Sequence, residues 1–189
     1  MFFERLRQYL HDTKGARLEI YAHSMGSIVI NEAYAMFPDL RARPIVFMAA
    51  ACSIREFANT TGNYIAKNNV PFYNLSLHPR AELDDAEAFG VPVRGSLLAW
   101  IDEFFEDPKS FGDRTLGTFE NAIIAQDLLP KRAPIYLKAF PIEDGSKTHD
   151  RNKFYRGPQR HGEFDDYYFW QEKFRSTAKE NDYYARIPK

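Results

Sequence analysis

Residues 43–51, "RPIVFMAAA", form an apolar run with no polar alternation, and this constrains the fold more than any other stretch of the chain. A strand with one wet face alternates apolar and polar side chains, whereas a strand apolar at successive positions has to be covered on both faces. Covering both faces takes helices on either side of a sheet, which predicts a parallel, layered arrangement. The remaining sequence supplies the parts. "RLEIYA" (17–22), "VPFYNLSL" (70–77) and "APIYLKAF" (133–140) read as three further strands. Phe2, Phe3, Leu6, Tyr9 and Leu10 recur at helical spacing and predict a helix over 2–12, ending before Gly15. Ile28, Val29, Ala33, Tyr34 and Phe37 mark a second helix that stops at Pro38. Residues 53–69 read as a loop and helix weakened by Gly62, and "GSLLAWIDEFFED" and "GTFENAIIAQDLL" as two helical segments. From Pro141 to Arg160 the chain reads as a polar surface loop, and "EFDDYYFWQEKF" as a closing helix packed through Phe164, Tyr168, Trp170 and Phe174. The expected class is therefore α/β, a mostly parallel sheet with flanking helices, in one domain spanning 1–189.

Charge and composition narrow the partners. The 189 residues carry 25 basic and 26 acidic side chains, a net charge of -1, so there is no general attraction to phosphates and nucleic acid is not an expected partner. Cys52 is the one cysteine, which rules out an intrachain disulfide framework and a cysteine-based zinc site. The five histidines show no H-E-x-x-H pairing, and there is no G-x-G-x-x-G or P-loop sequence, so neither a metal nor a cofactor is expected. Charges interrupt the apolar residues of "MFFERLRQYL", and no apolar run reaches the roughly 18 residues a membrane span needs. A cytoplasmic location is the expectation from these features together.

The strand "RLEIYA" passes into a helix through "HSMG". A tight strand-to-helix turn projects one side chain at the carboxyl end of a parallel sheet, where such folds place their ligand crevices. The turn needs small neighbours two residues to either side, and Ala22 and Gly26 meet that need around Ser24. Free N–H groups at the start of the following helix, beginning with that of Met25, would stabilise a negative oxygen forming beside Ser24. The plainer alternative is a serine that only caps the helix.

Residues 22–26, "AHSMG", resemble the nucleophile elbow of the α/β-hydrolase superfamily, in its form with alanine at the first small position. The resemblance implies a serine hydrolase of the esterase or lipase kind, acting on a carboxylic ester or related acyl group. In that superfamily the order is serine, acid, histidine. His161 in "QRHGEFDD" then fits the base, with His149 as the alternative. Glu82 in "LHPRAELDDAE" is nearest the end of the third strand and is the first choice of acid, with Asp84 and Asp85 as alternatives. His23 adjoins Ser24, but neighbouring residues on a strand point to opposite faces, so it is read as pocket wall and not as base.

The chain departs from the superfamily in one respect. Only one helix precedes the elbow strand, so the resemblance covers the C-terminal half of the three-layer hydrolase fold and omits the strands that would carry a second oxyanion donor. A fragment of a longer hydrolase and a reduced domain both account for this. Either way "RLEIYA" would present an open sheet edge that favours self-association. The segment 86–131 is expected to be a lid or a packed crossover. The contrasting expectation is a non-catalytic interaction module that keeps the elbow as scaffold.

Overall fold

The computed structural model describes residues 2–85, 95–105, 107–142 and 156–176. Its centre is a four-stranded, wholly parallel sheet of β1 (Ile20–His23), β2 (Ile45–Met48), β3 (Phe72–Ser76) and β4 (Ile135–Ala139), lying side by side in chain order. The expected α/β class holds. The helices are α1 (Phe2–Asp12), α2 (Gly26–Met36), α3 (Ile54–Asn59), α4 (Thr61–Asn68), α5 (Pro79–Asp84), α6 (Leu97–Trp100) and α7 (Phe119–Ile124). The helical reading of 53–69 splits in two at Thr60. A Cβ at Gly62 would lie 2.8 Å from the Phe57 carbonyl oxygen, so the second helix can pack this closely on the first only through glycine.

The strand β2 is buried at every position, and its alternation divides the core into two layers. Ile45 and Phe47 face one side, where they meet Ile20, Phe72, Phe57 and Tyr34 together with Tyr64 and Ile65 of α4 and Ala122 of α7. Phe47, Phe57 and Phe72 pack there as a ring cluster with centroids 4.5 to 5.9 Å apart. Val46 and Met48 face the other side, covered by Ala81 of α5, Leu98 of α6 and the aromatic residues Phe140, Phe164, Tyr167, Phe169 and Phe174.

Those aromatics do not form the expected closing helix. The segment folds instead as two 3-10 turns, His161–Asp166 and Glu172–Arg175, with extended backbone at Tyr167 between them. Phe164, Tyr167, Phe169 and Phe174 all point inward, a spacing no single helical stripe can satisfy, and tertiary burial overrides the helical pattern. Tyr168 is accordingly only half-buried, and Trp170 is exposed. The described part of 86–131 is anchored in the core through Leu98, Leu116, Ala122, Ala125 and Leu129. Gly117 marks its closest approach: a Cβ there would sit 2.2 Å from the Ala50 nitrogen and 2.4 Å from the Ala50 oxygen. Among the described residues no helix is long and apolar enough to cross a membrane.

Candidate active site at the carboxyl edge of the sheet

Because all four strands run the same way, the segments that follow them open on one edge of the sheet. Ser24 follows β1, Glu82 and Asp85 lie on and just after α5 behind β3, and His161 comes after β4. Residues separated by more than a hundred positions are thus brought to one place by topology alone.

Ser24 has φ 51, the left-handed region that costs a non-glycine residue about 1 kcal/mol or more. Its backbone is held there from several directions. The Ser24 N–H donates to the Met48 carbonyl at 2.9 Å, and its own carbonyl accepts from the N–H groups of Ser27 and Ala51, each at 3.1 Å. The fully buried Ser27 hydroxyl donates to the same carbonyl at 2.7 Å and accepts from the Cys52 N–H at 3.0 Å. The end of β2 therefore locks the turn. Helix α2 starts at Gly26 with Met25 as its cap residue, one position later than the sequence suggested. The N–H groups of Met25 and Gly26 donate to no protein group among the described residues, which leaves them for an oxygen lying beside Ser24. A Cβ on Gly26 would sit 3.6 Å from that of Ala22, an ordinary contact, so the turn would accept alanine and excludes only larger side chains.

His161 meets Ser24. Its Nε2 lies 2.9 Å from the Ser24 Oγ, and the residue is buried. Burial, followed by the neighbouring His23, pushes its imidazole down to about 4, so the ring is neutral over most of the pH range. Accepting the hydroxyl proton at Nε2 requires the tautomer with its hydrogen on Nδ1. That Nδ1 is buried and has no hydrogen-bond partner among the described residues.

The carboxylates stand differently from the sequence-based assignment. Glu82 is buried but makes no hydrogen bond to His161, and neither of its carboxyl oxygens has a partner among the described residues. Burial raises its pKa to about 7, with Asp85, Asp102 and Glu120 adding to the rise. Asp84 is exposed and faces Arg80 across one helical turn. Asp85 is the carboxylate that touches His161: its Oδ2 accepts the His161 backbone N–H at 2.8 Å. It pins the segment without reaching the ring. His149 lies outside the described residues.

Sequence reasoning missed the two devices that fix the geometry. Ser27 could have been found from its place three residues after Ser24, where a hydroxyl reaches back to the turn. The seat of His161 on Asp85 carries no local signal, since the two are 76 positions apart. Cys52 is fully buried, and burial pushes its thiol up to about 12, so it is inert packing. Among the described residues no three His, Cys, Asp or Glu side chains converge in a way that would hold a metal ion.

Comparison with known protein families, with curated proteins and with solved structures found no match.

Proposed function

We propose that this chain carries the nucleophile and base of a serine hydrolase acting on a carboxylic ester or related acyl bond, as the α/β-hydrolase resemblance implies. The observation that carries the reading is the 2.9 Å approach of His161 Nε2 to a serine oxygen held on a left-handed turn. Ser24 Oγ attacks the acyl carbon while its proton passes to His161 Nε2. The carbonyl oxygen becomes an oxyanion beside the Met25 and Gly26 N–H groups, at the positive end of α2. Collapse of the tetrahedral species expels the alcohol, which takes the proton from Nε2. Water, deprotonated by the same nitrogen, then releases the acid and restores Ser24. Asp85 supports His161 through the bond to its backbone N–H.

A second reading has its own support. With no carboxylate on Nδ1 among the described residues and an imidazole pushed down to about 4, His161 is a weak base, as a non-catalytic interaction module would tolerate. Losing the triad carboxylate costs about 10⁴-fold where it has been measured. Stopped-flow hydrolysis of an activated aryl ester separates the two. An initial burst of one leaving group per chain, abolished by Ser24→Ala, supports the hydrolase; equal slow release by both proteins supports the module. The outer edge of β1 pairs with no strand among the described residues, and we propose a second copy of this chain as its partner. Sedimentation showing only monomer at high concentration would refute that.

A further inference from the structure

The charges that cancel over the whole chain do not cancel locally. A cleft of about 1010 Å³ opens between α1, the turn that follows it, the loop 39–43 and the end of α4. Leu18, Arg43 and Val70, which border it, each lie shortly before a strand, so the cleft is at the amino edge of the sheet, the edge opposite Ser24. Five basic side chains line it, Arg7, Lys14, Arg17, Arg41 and Arg43, against one acid, Asp39. That acid is already engaged, because Arg7 Nη1 lies 3.4 Å from its carboxylate. His11, also on the rim, faces Asp12 at 3.0 Å. Arg43 donates to the Asn69 carbonyl at 3.3 Å, a neutral acceptor. The side chains of Lys14, Arg17 and Arg41 have no hydrogen-bond or ion-pair partner among the described residues. Four cations thus share one concavity with no carboxylate to balance them. An anion entering it relieves their mutual repulsion and is attracted by each.

The backbone under these cations is fixed. The Tyr64 hydroxyl accepts the Ala42 N–H at 3.0 Å and donates to the Ala42 carbonyl at 3.2 Å, which ties the loop carrying Arg41 and Arg43 to α4. The Arg43 N–H donates to the Leu18 carbonyl at 2.8 Å and ties the same loop to the segment carrying Arg17. Leu40 and Val70, both buried, add apolar surface to the lining. A ligand therefore meets charges on positioned backbone, which lowers the ordering cost of binding.

We propose that this cleft binds a small molecule carrying a pyrophosphate or two phosphate groups, held by Lys14, Arg17, Arg41 and Arg43. The planar fork of a guanidinium matches phosphate oxygens in pairs. A phosphate monoester carries about -1.5 to -2 charge at neutral pH, so one phosphate balances two of the four cations and two phosphates balance all of them. A single carboxylate would leave three unbalanced. The volume stands at the upper end of small-molecule pockets, which run to about 1,000 Å³. A concave lining also suits a small molecule better than a lipid surface, which a flat or convex face would meet. The four residues of β1, at roughly 3.3 Å each, keep the cleft more than about 10 Å from Ser24, and the proposal does not rest on the hydrolase reading.

Isothermal titration calorimetry of the full chain with inorganic pyrophosphate tests this. One pyrophosphate should bind per chain, about tenfold or more tightly than orthophosphate, and its affinity should fall as sodium chloride is added. Arg17→Gln and Arg41→Gln should each weaken it by about five- to tenfold, the loss of one charge-assisted bond. Arg41→Lys, which keeps the charge, should retain most of the affinity, and Arg80→Gln on α5 should leave it unchanged. Both glutamine variants remove an exposed side chain without a partner, so their unfolding temperature without pyrophosphate should match the wild type. No binding of pyrophosphate, equal affinity for pyrophosphate and orthophosphate, or binding that survives in the double variant Arg17→Gln/Arg41→Gln would overturn the proposal. Adsorption to mixed phosphatidylcholine and phosphatidylglycerol vesicles that pyrophosphate does not displace, but that the double variant loses, would overturn it too and assign these cations to a lipid surface.

Discussion

Glu82→Gln should change how the stability of this protein depends on pH, and by an amount the structure allows to be worked out. Glu82 is 7% exposed with both carboxyl oxygens unpartnered among the described residues, and its pKa rises from 4.5 to about 7, chiefly through burial. A raised folded-state pKa means that the folded chain holds the proton more tightly than the unfolded one. The stability this gives is fully present below 4.5 and is lost as pH climbs through 7. At about 1.4 kcal/mol per unit, the loss between about pH 5 and pH 8 is on the order of 2 to 3 kcal/mol. His161 works the other way. Its imidazole is lowered from 6.5 to about 4, so the stability it gives is present above 6.5 and is lost as pH falls through 4. In the wild type the two opposing slopes largely cancel over that interval. Glu82→Gln keeps the His161 slope alone and should weaken toward acid by about 2 kcal/mol. Urea unfolding of both proteins at the two pH values measures this. The difference between variant and wild type is then compared between pH values, so that the cost of burying the amide cancels. A difference that is the same at both, within about 0.5 kcal/mol, would refute the claim that burial governs the Glu82 proton.

Other perturbations probe the remaining parts of the site and its support. Gly117→Ala places a methyl group against the Ala50 backbone and should cost about 3 kcal/mol or more in thermal or urea unfolding; a loss under about 1 kcal/mol would contradict the packing described. Ser27→Ala removes a buried hydroxyl that bridges the Ser24 carbonyl and the Cys52 N–H, and should cost about 1 to 3 kcal/mol of stability and slow Ser24 phosphonylation as well. Asp85→Asn retains an acceptor oxygen for the His161 N–H but removes its charge. It should slow phosphonylation by about tenfold, the worth of one charge-assisted bond, while Asp84→Asn leaves the rate unchanged.

How far the sequence alone discloses this molecule depends on how local each feature is. The fully apolar "PIVFM" revealed β2 as a strand covered on both sides, because burial on two faces is written in consecutive residues. The tight strand-to-helix turn at Ser24 was equally readable, since Ala22, Ser24 and Gly26 lie within a few residues of chain. The parallel direction of the strands could be argued from their alternation with helices, but not their order in the sheet. The closing segment could not: its aromatics look helical in a window, yet each is pulled to the same core from a different backbone geometry. The carboxylate that meets His161 was hidden for a related reason. Three carboxylates within four residues are equivalent in sequence, and only the path of the chain from β4 decides that Asp85 meets His161. His23 was set aside by the rule that neighbours on a strand face opposite ways. Its ring is not on Ser24; its Nε2 lies 3.1 Å from the His161 carbonyl, a contact 138 positions away that leaves no local signal.

The pairing of Ser24 with His161 is most directly tested by the rate at which a fluorophosphonate modifies the chain, read as intact mass across pH for the wild type and His161→Ala. Modification confined to Ser24 is expected, with a rate that persists into acid until the His161 ring protonates at about 4 and falls by several orders of magnitude in the variant. A wild-type rate no faster than that of His161→Ala, or a mass shift that survives Ser24→Ala, would contradict the account.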